Sequence, residues 1–161
     1  MSNRKGSAFE RSVARDFCAW AGDSGAFWRS PGSGARARVR PDITEQHGDI
    51  IAYNARGEQF SSRFVVECKH HAALRWDLFL LKQRGKLYGF WSRLVEDACA
   101  LRRRPMLIAR QSRFGTFVVL DYVSALVTPL IGRSGCYVYD YEMILGVAYD
   151  RFVAEAVAVD G

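Results

Sequence analysis

Residues 63–69, Arg-Phe-Val-Val-Glu-Cys-Lys, constrain this chain more than any other stretch. The Phe-Val-Val run predicts a β-strand covered on both faces. That strand ends in a carboxylate and an ammonium. Side chains alternate across a strand, so Glu67 and Lys69 share one face and Cys68 points to the other. A charge on a buried strand needs a partner or a metal ion. The competing reading is an ordinary charged pair on a solvated strand face.

Around this strand the pattern predicts a mixed α/β domain. Phe9, Val13, Phe17 and Trp20 recur at helical spacing and predict a first helix over 7–21. Ser7 and Glu10 fit a capping box at its start, and Gly22 and Gly25 end it. Residues 49–53 predict a short strand, and residues 54–62, with Gly57, a hairpin connection to the strand at 63–69. Residues 74–101 read as mostly helical, with Gly85 and Gly89 as breaks or kinks. Residues 105–109 and 116–120 predict a strand hairpin. Trp76, Trp91 and Phe90 sit at helical spacing and are expected in the core rather than as stacking platforms.

The 161 residues suit one domain, 1–161, with a core over about 4–121. The aromatic tail, 122–161, either completes that core or forms a dimer face. The net charge of +6 raises a polyanionic partner as one reading, beside charge kept for solubility alone. Cys18, Cys68, Cys99 and Cys136 are scattered without a C-x-x-C pair, so no zinc site is expected. They read as small buried side chains, reduced in a cytoplasm. No apolar stretch reaches the roughly 20 residues that cross a bilayer, so a soluble intracellular protein is expected.

Asp49 follows Gly48 and opens the strand before 63–69. If the two strands pair antiparallel, Asp49 lies beside Glu67. Phosphodiester hydrolysis needs such a set. Carboxylates are hard oxygen ligands for a small dication such as Mg2+, with Mn2+ as its substitute. The Cys68 backbone carbonyl can face the same site. Lys69 is placed to orient the attacking water or to hold the scissile phosphate.

Gly48-Asp49-Ile50 followed by Val66-Glu67-Cys68-Lys69 resembles the PD-(D/E)XK nuclease superfamily. Residues 4–11, Arg-Lys-Gly-Ser-Ala-Phe-Glu-Arg, resemble the opening of the archaeal-type Holliday junction resolvases, which phages also carry. Residues 29–34, Arg-Ser-Pro-Gly-Ser-Gly, are similar to the loop after that family's first helix. The resemblance implies a restriction-endonuclease-like core, a central mixed β-sheet flanked by helices. It implies a homodimer that cleaves branched DNA with a metal ion, in a bacterial or archaeal cell. Residue by residue, it makes Glu10, Asp49 and Glu67 metal ligands, Lys69 the catalytic lysine, Ser33 a loop residue near the scissile phosphate, and Ser30 a DNA contact. Two departures stand out. Residues 36–47 lengthen the loop before the acidic strand, and they offer Asp42 in a competing Pro-Asp-Ile. Asp49 is favoured because a β-like run follows it.

Arg4, Lys5, Arg29, Arg36, Arg38 and Arg40 form either a phosphate-binding arm or a solvated loop. Arg102, Arg103 and Arg104 are expected to favour a helix C-terminus by their charge. His70 is a further candidate to touch substrate. Glu10 has a plainer alternative, a helix cap worth about 1 kcal/mol.

Overall fold

The computed structural model describes residues 2–30 and 47–158. Among them the order is α1 (Ser2–Ala21), β1 (Phe27–Arg29), β2 (Ile50–Ala52), α2 (Ala55–Ser61), β3 (Phe64–His71), α3 (Trp76–Lys82) and α4 (Lys86–Ala100). Then come β4 (Arg104–Gln111), β5 (Gly115–Leu120), β6 (Ile131–Arg133), β7 (Cys136–Asp140), α5 (Tyr141–Leu145) and α6 (Tyr149–Ala158). The main sheet has the order β3-β4-β5-β7-β6. It is mixed, because β3 and β4 are parallel and the other pairs are antiparallel. The fold is α/β, as expected.

The strand alternation sorts the core into two layers. Phe64, Val66 and Cys68 of β3 face the layer that holds Phe9, Val13 and Phe17 of α1 and Phe152 of α6. Val65 faces the other layer, with Phe79 of α3 and Leu87, Trp91 and Leu94 of α4. Burial on both sides explains the unbroken apolar run of β3. The parallel β3–β4 pair needs a long crossover, which α3 and α4 supply. Gln83 and Gly85, both at positive φ, separate those two helices, while Gly89 lies inside α4. From the tail, β7 enters the main sheet, and Tyr139 and Phe152 are fully buried in the first layer.

Four expectations are corrected. The first helix begins at Ser2, not Ser7. Ser7 caps nothing, because its hydroxyl lies inside the helix and accepts from Arg29 Nη2 at 3.0 Å. Residues 54–62 form no hairpin connection. Asn54 caps α2 by accepting from Gly57 N at 3.1 Å, and Gly57 is the one residue that lets this helix sit against the Ala26 carbonyl. β2 therefore does not pair with β3; it pairs antiparallel with β1 in a separate two-stranded ribbon. The three arginines follow the end of α4 directly, as the sequence suggests: the Arg102 N–H donates to the Cys99 carbonyl at 3.0 Å and the Arg103 N–H to the Ala98 carbonyl at 2.9 Å, and Arg104 opens β4 with its guanidinium 3.0 Å from Asp121.

Candidate active site

Among the described residues β3 is an outer strand of the main sheet, so one margin of it carries N–H and C=O groups that no described strand takes. Asp49 takes two of them. Its N–H donates to the Val66 carbonyl at 2.7 Å, and its Oδ2 accepts from Cys68 N at 2.8 Å. On its other side the Asp49 carbonyl accepts from Ser30 N at 2.7 Å. Gly48 makes this approach possible. It sits at φ +85, and a Cβ there would collide with the Val66 carbonyl. The Cys68 carbonyl alternates with its neighbours and so points to the same margin as the Val66 carbonyl.

Glu67 and Lys69 share a face, as the strand period requires. The Lys69 ammonium lies 2.6 Å from Glu67 Oε1 and 4.6 Å from the centroid of the Phe90 ring of α4. That ring also stacks against His71 and lies under Arg93. Glu67, Lys69, Phe90 and Arg93, with His47 and Gly48, line a cleft of about 310 Å³. Glu10 reaches the margin from α1, on the opposite layer. Its Oε2 accepts from Arg29 Nε at 2.6 Å.

The electrostatics tie these groups together. Burial lifts the Asp49 carboxyl from 3.8 to about 6, helped by the Glu67 carboxylate and then by Glu10; the Cys68 N–H and the Lys69 charge oppose the rise. Burial pushes the Cys68 thiol up as well, and the Asp49 charge adds to it, so Cys68 offers its carbonyl rather than a nucleophilic sulfur. His70 faces the α1 layer. Its ring lies 5.7 Å from that of Phe9, with Nε2 3.2 Å from Ser112 Oγ. Burial lowers its pKa, and the Arg110 charge lowers it further.

Among the described residues, no three His, Cys, Asp or Glu side chains close on one point as a finished metal centre does. Arg29 holds Glu10, and Lys69 holds Glu67. The donor set nevertheless fits a hard dication. It consists of oxygens only, and Asp49 faces two other carboxylates, a repulsion that a bound dication would relieve.

The structure brings Glu10, Asp49, Glu67, Lys69 and the Cys68 backbone to one margin of the sheet. Arg4 and Lys5 are exposed on the first turns of α1. Ser30 is 3% exposed, and its N–H supports Asp49. Ser33, Arg36, Arg38, Arg40 and Asp42 lie outside the described residues. The sequence reading missed two neighbours. Phe90 was assigned to the core and instead meets Lys69; nothing local links residues twenty-one apart. Arg29, read as part of a basic arm, bonds Glu10, a partner that reading did not include.

A family model described as "Phage putative PDDEXK endonuclease" matches residues 1–150. The chain belongs to this family, and so to the PD-(D/E)XK nucleases. Among solved structures it is similar to Hjc, a Holliday junction resolvase of the archaeal hyperthermophile Archaeoglobus fulgidus, at 15% identity, covering 94% of this chain and 97% of that one with a TM-score of 0.39. No curated protein matches it. No described helix is long and apolar enough to cross a membrane.

Proposed function

We propose that the chain is a Mg2+-dependent endonuclease that cuts branched DNA, four-way junctions above all, as a homodimer in the cytoplasm of a phage-infected cell. One observation carries the chemistry: Asp49 is bound through its backbone and its carboxylate to the open margin of β3, where it faces Glu67 and Glu10, with Lys69 alongside. Family membership supports nuclease chemistry. The succession of motifs at 4–11, 29–34, 48–50 and 66–69 supports branched DNA as the substrate.

On this reading Glu10, Asp49, Glu67 and the Cys68 carbonyl hold the ion. When bound, a dication neutralises the charge that builds on the scissile phosphate. Glu10 and Glu67 must then loosen their pairings. Arg29 and Lys69, so released, lie beside the same anionic substrate. Lys69 positions the attacking water or a phosphate oxygen. Ser33 lies near the scissile phosphate, and Arg4, Lys5, Arg36, Arg38, Arg40 and His70 contact the DNA around it.

The test incubates the purified chain with a labelled four-way junction, a linear duplex and a flap, with Mg2+, with Mn2+ or with chelator. Paired symmetric nicks on the junction alone are expected with metal. Glu10→Gln, Asp49→Asn and Glu67→Gln should each slow cutting on the order of a hundredfold or more, the scale of one lost electrostatic partner. Mg2+ should raise the Tm of the wild type and not that of Asp49→Asn. Cutting of all three DNAs makes the enzyme a general endonuclease. Binding without cutting in either metal leaves a DNA-binding module of the same fold and overturns the enzyme.

A further inference from the structure

Lys69 meets both a carboxylate and an aromatic ring, and only the carboxylate is a candidate to bind metal. Its ammonium lies 2.6 Å from Glu67 Oε1 and 4.6 Å from the centroid of the Phe90 ring. Both contacts have a plain origin. Glu67, Lys69 and His71 alternate onto one face of β3. On α4, Leu87, Trp91 and Leu94 recur at helical spacing and are buried in the core layer on that face. Phe90 stands beside this stripe, half-buried, where the core gives way to the cleft. There its ring meets Lys69, stacks against His71 at 5.8 Å and 18°, and has the Arg93 guanidinium 5.6 Å from its centroid. A ring set beside two cations offers them the negative face of its π system.

From this geometry we infer that Phe90 is the positioning residue of Lys69: its ring face keeps the ammonium in the cleft once Glu67 turns to the metal ion. The inference rests on the nuclease reading and deepens it. On that reading a dication draws Glu67 away from Lys69 and adds like charge beside it. A lysine stem is long and flexible, so an ammonium left with that repulsion alone swings toward water. A further carboxylate would hold it, but would itself ligate a hard ion. A ring attracts a cation through its quadrupole and offers a hard ion no oxygen. Phe90 thus holds Lys69 by means that metal binding leaves intact. Lys69 stays where it can orient water or a phosphate oxygen.

The test measures kcat and KM in Mg2+ for cutting of the labelled four-way junction, or of the linear duplex if the junction is left intact. Phe90→Leu keeps an apolar side chain and removes the ring face. It should lower kcat about tenfold, the scale of one cation–π contact, and leave KM within about twofold. Phe90→Tyr should restore most of the loss. A role exerted through Lys69 depends on that amine. On a Lys69→Met background Phe90→Leu should therefore change the residual cutting by less than about twofold, whereas on an Arg93→Gln background it should keep its cost of about tenfold. A second readout stands if Phe90→Leu does not fold. In NMR spectra the methylene protons next to the Lys69 ammonium should be shifted upfield by the ring, in chelator and in Mg2+ alike, and Phe90→Tyr should keep that shift. Equal costs of Phe90→Leu with and without Lys69, a loss that Phe90→Tyr does not restore, or an upfield shift that vanishes in Mg2+ overturns the inference. The nuclease reading fails on a different result, a wild type that cuts no DNA in Mg2+ or Mn2+, and it takes the positioning role with it.

Discussion

At Asp49, burial and two neighbouring carboxylates act in the same direction. Together they lift its pKa from 3.8 to about 6, so the folded chain holds this proton more tightly than the unfolded chain does. The sign follows from linkage. Below about pH 4 the protonated group costs nothing; as pH rises through 6, ionised Asp49 destabilises the metal-free fold, by up to about 3 kcal/mol. Asparagine removes the charge and still offers an oxygen to Cys68 N. In chelator, Asp49→Asn should therefore raise Tm at pH 8 and leave it nearly unchanged at pH 4. An equal gain at both pH values, in thermal melts, means that the carboxylate is not held in this way. The residues around Asp49 were unequally legible. Glu67 and Lys69 share a face because a strand has a period of two, which any reader of 63–69 can apply. The cations that hold the acids have no such rule. Arg29 meets Glu10 only because β1 packs beside α1, and Phe90 meets Lys69 only because α4 crosses the face of β3.

Among the elements, β3 was readable from its composition, and its position in the sheet was not. Asp49 was expected beside Glu67 through a hairpin. It does lie there, but for another reason. The residues read as a hairpin loop fold as α2, because Asn54 is a good cap and Phe60 finds the core. β2 then turns to β1. Local signals carry no information on partners, and the parallel β3–β4 pairing joins stretches about forty residues apart. The start of α1 was missed for a related reason: Arg4, Lys5 and Gly6 contain no stop signal, and the Ser7–Glu10 spacing imitates a cap. The link between β2 and β3 is Gly48. Gly48→Ala introduces a Cβ into the Val66 carbonyl at a φ that alanine resists. The expected cost is about 1–3 kcal/mol. The bond from Cys68 N to Asp49 should open with it, so amide exchange at Cys68 should accelerate. A variant with the wild-type Tm and a protected Cys68 amide would show that the approach is not as tight as drawn.

On the scale of the whole molecule, the tail belongs to the packed interior. Tyr139 and Phe152 are fully buried among side chains of α1, β3 and β5. A chain ending at residue 121 loses β7 and α6 and leaves that layer uncovered. It should lack a cooperative thermal transition by circular dichroism, whatever its oligomeric state. A sharp melt near the wild-type temperature would place the folding unit in the first 121 residues alone. The two termini of the main sheet differ in kind. β6 is three residues long and exposed along its length, whereas β3 is eight residues long and opens on a Phe-Val-Val run. A bare strand of the second sort templates fibrils, because its unpaired amides recruit like chains. Asp49 blocks that recruitment with the same two bonds that seat its carboxylate. On the reading proposed above, whatever dislodges it from β3, whether mutation or partial unfolding, then costs more than a metal ligand: it uncovers a nucleus for self-association, and loss of cutting and onset of aggregation become one event.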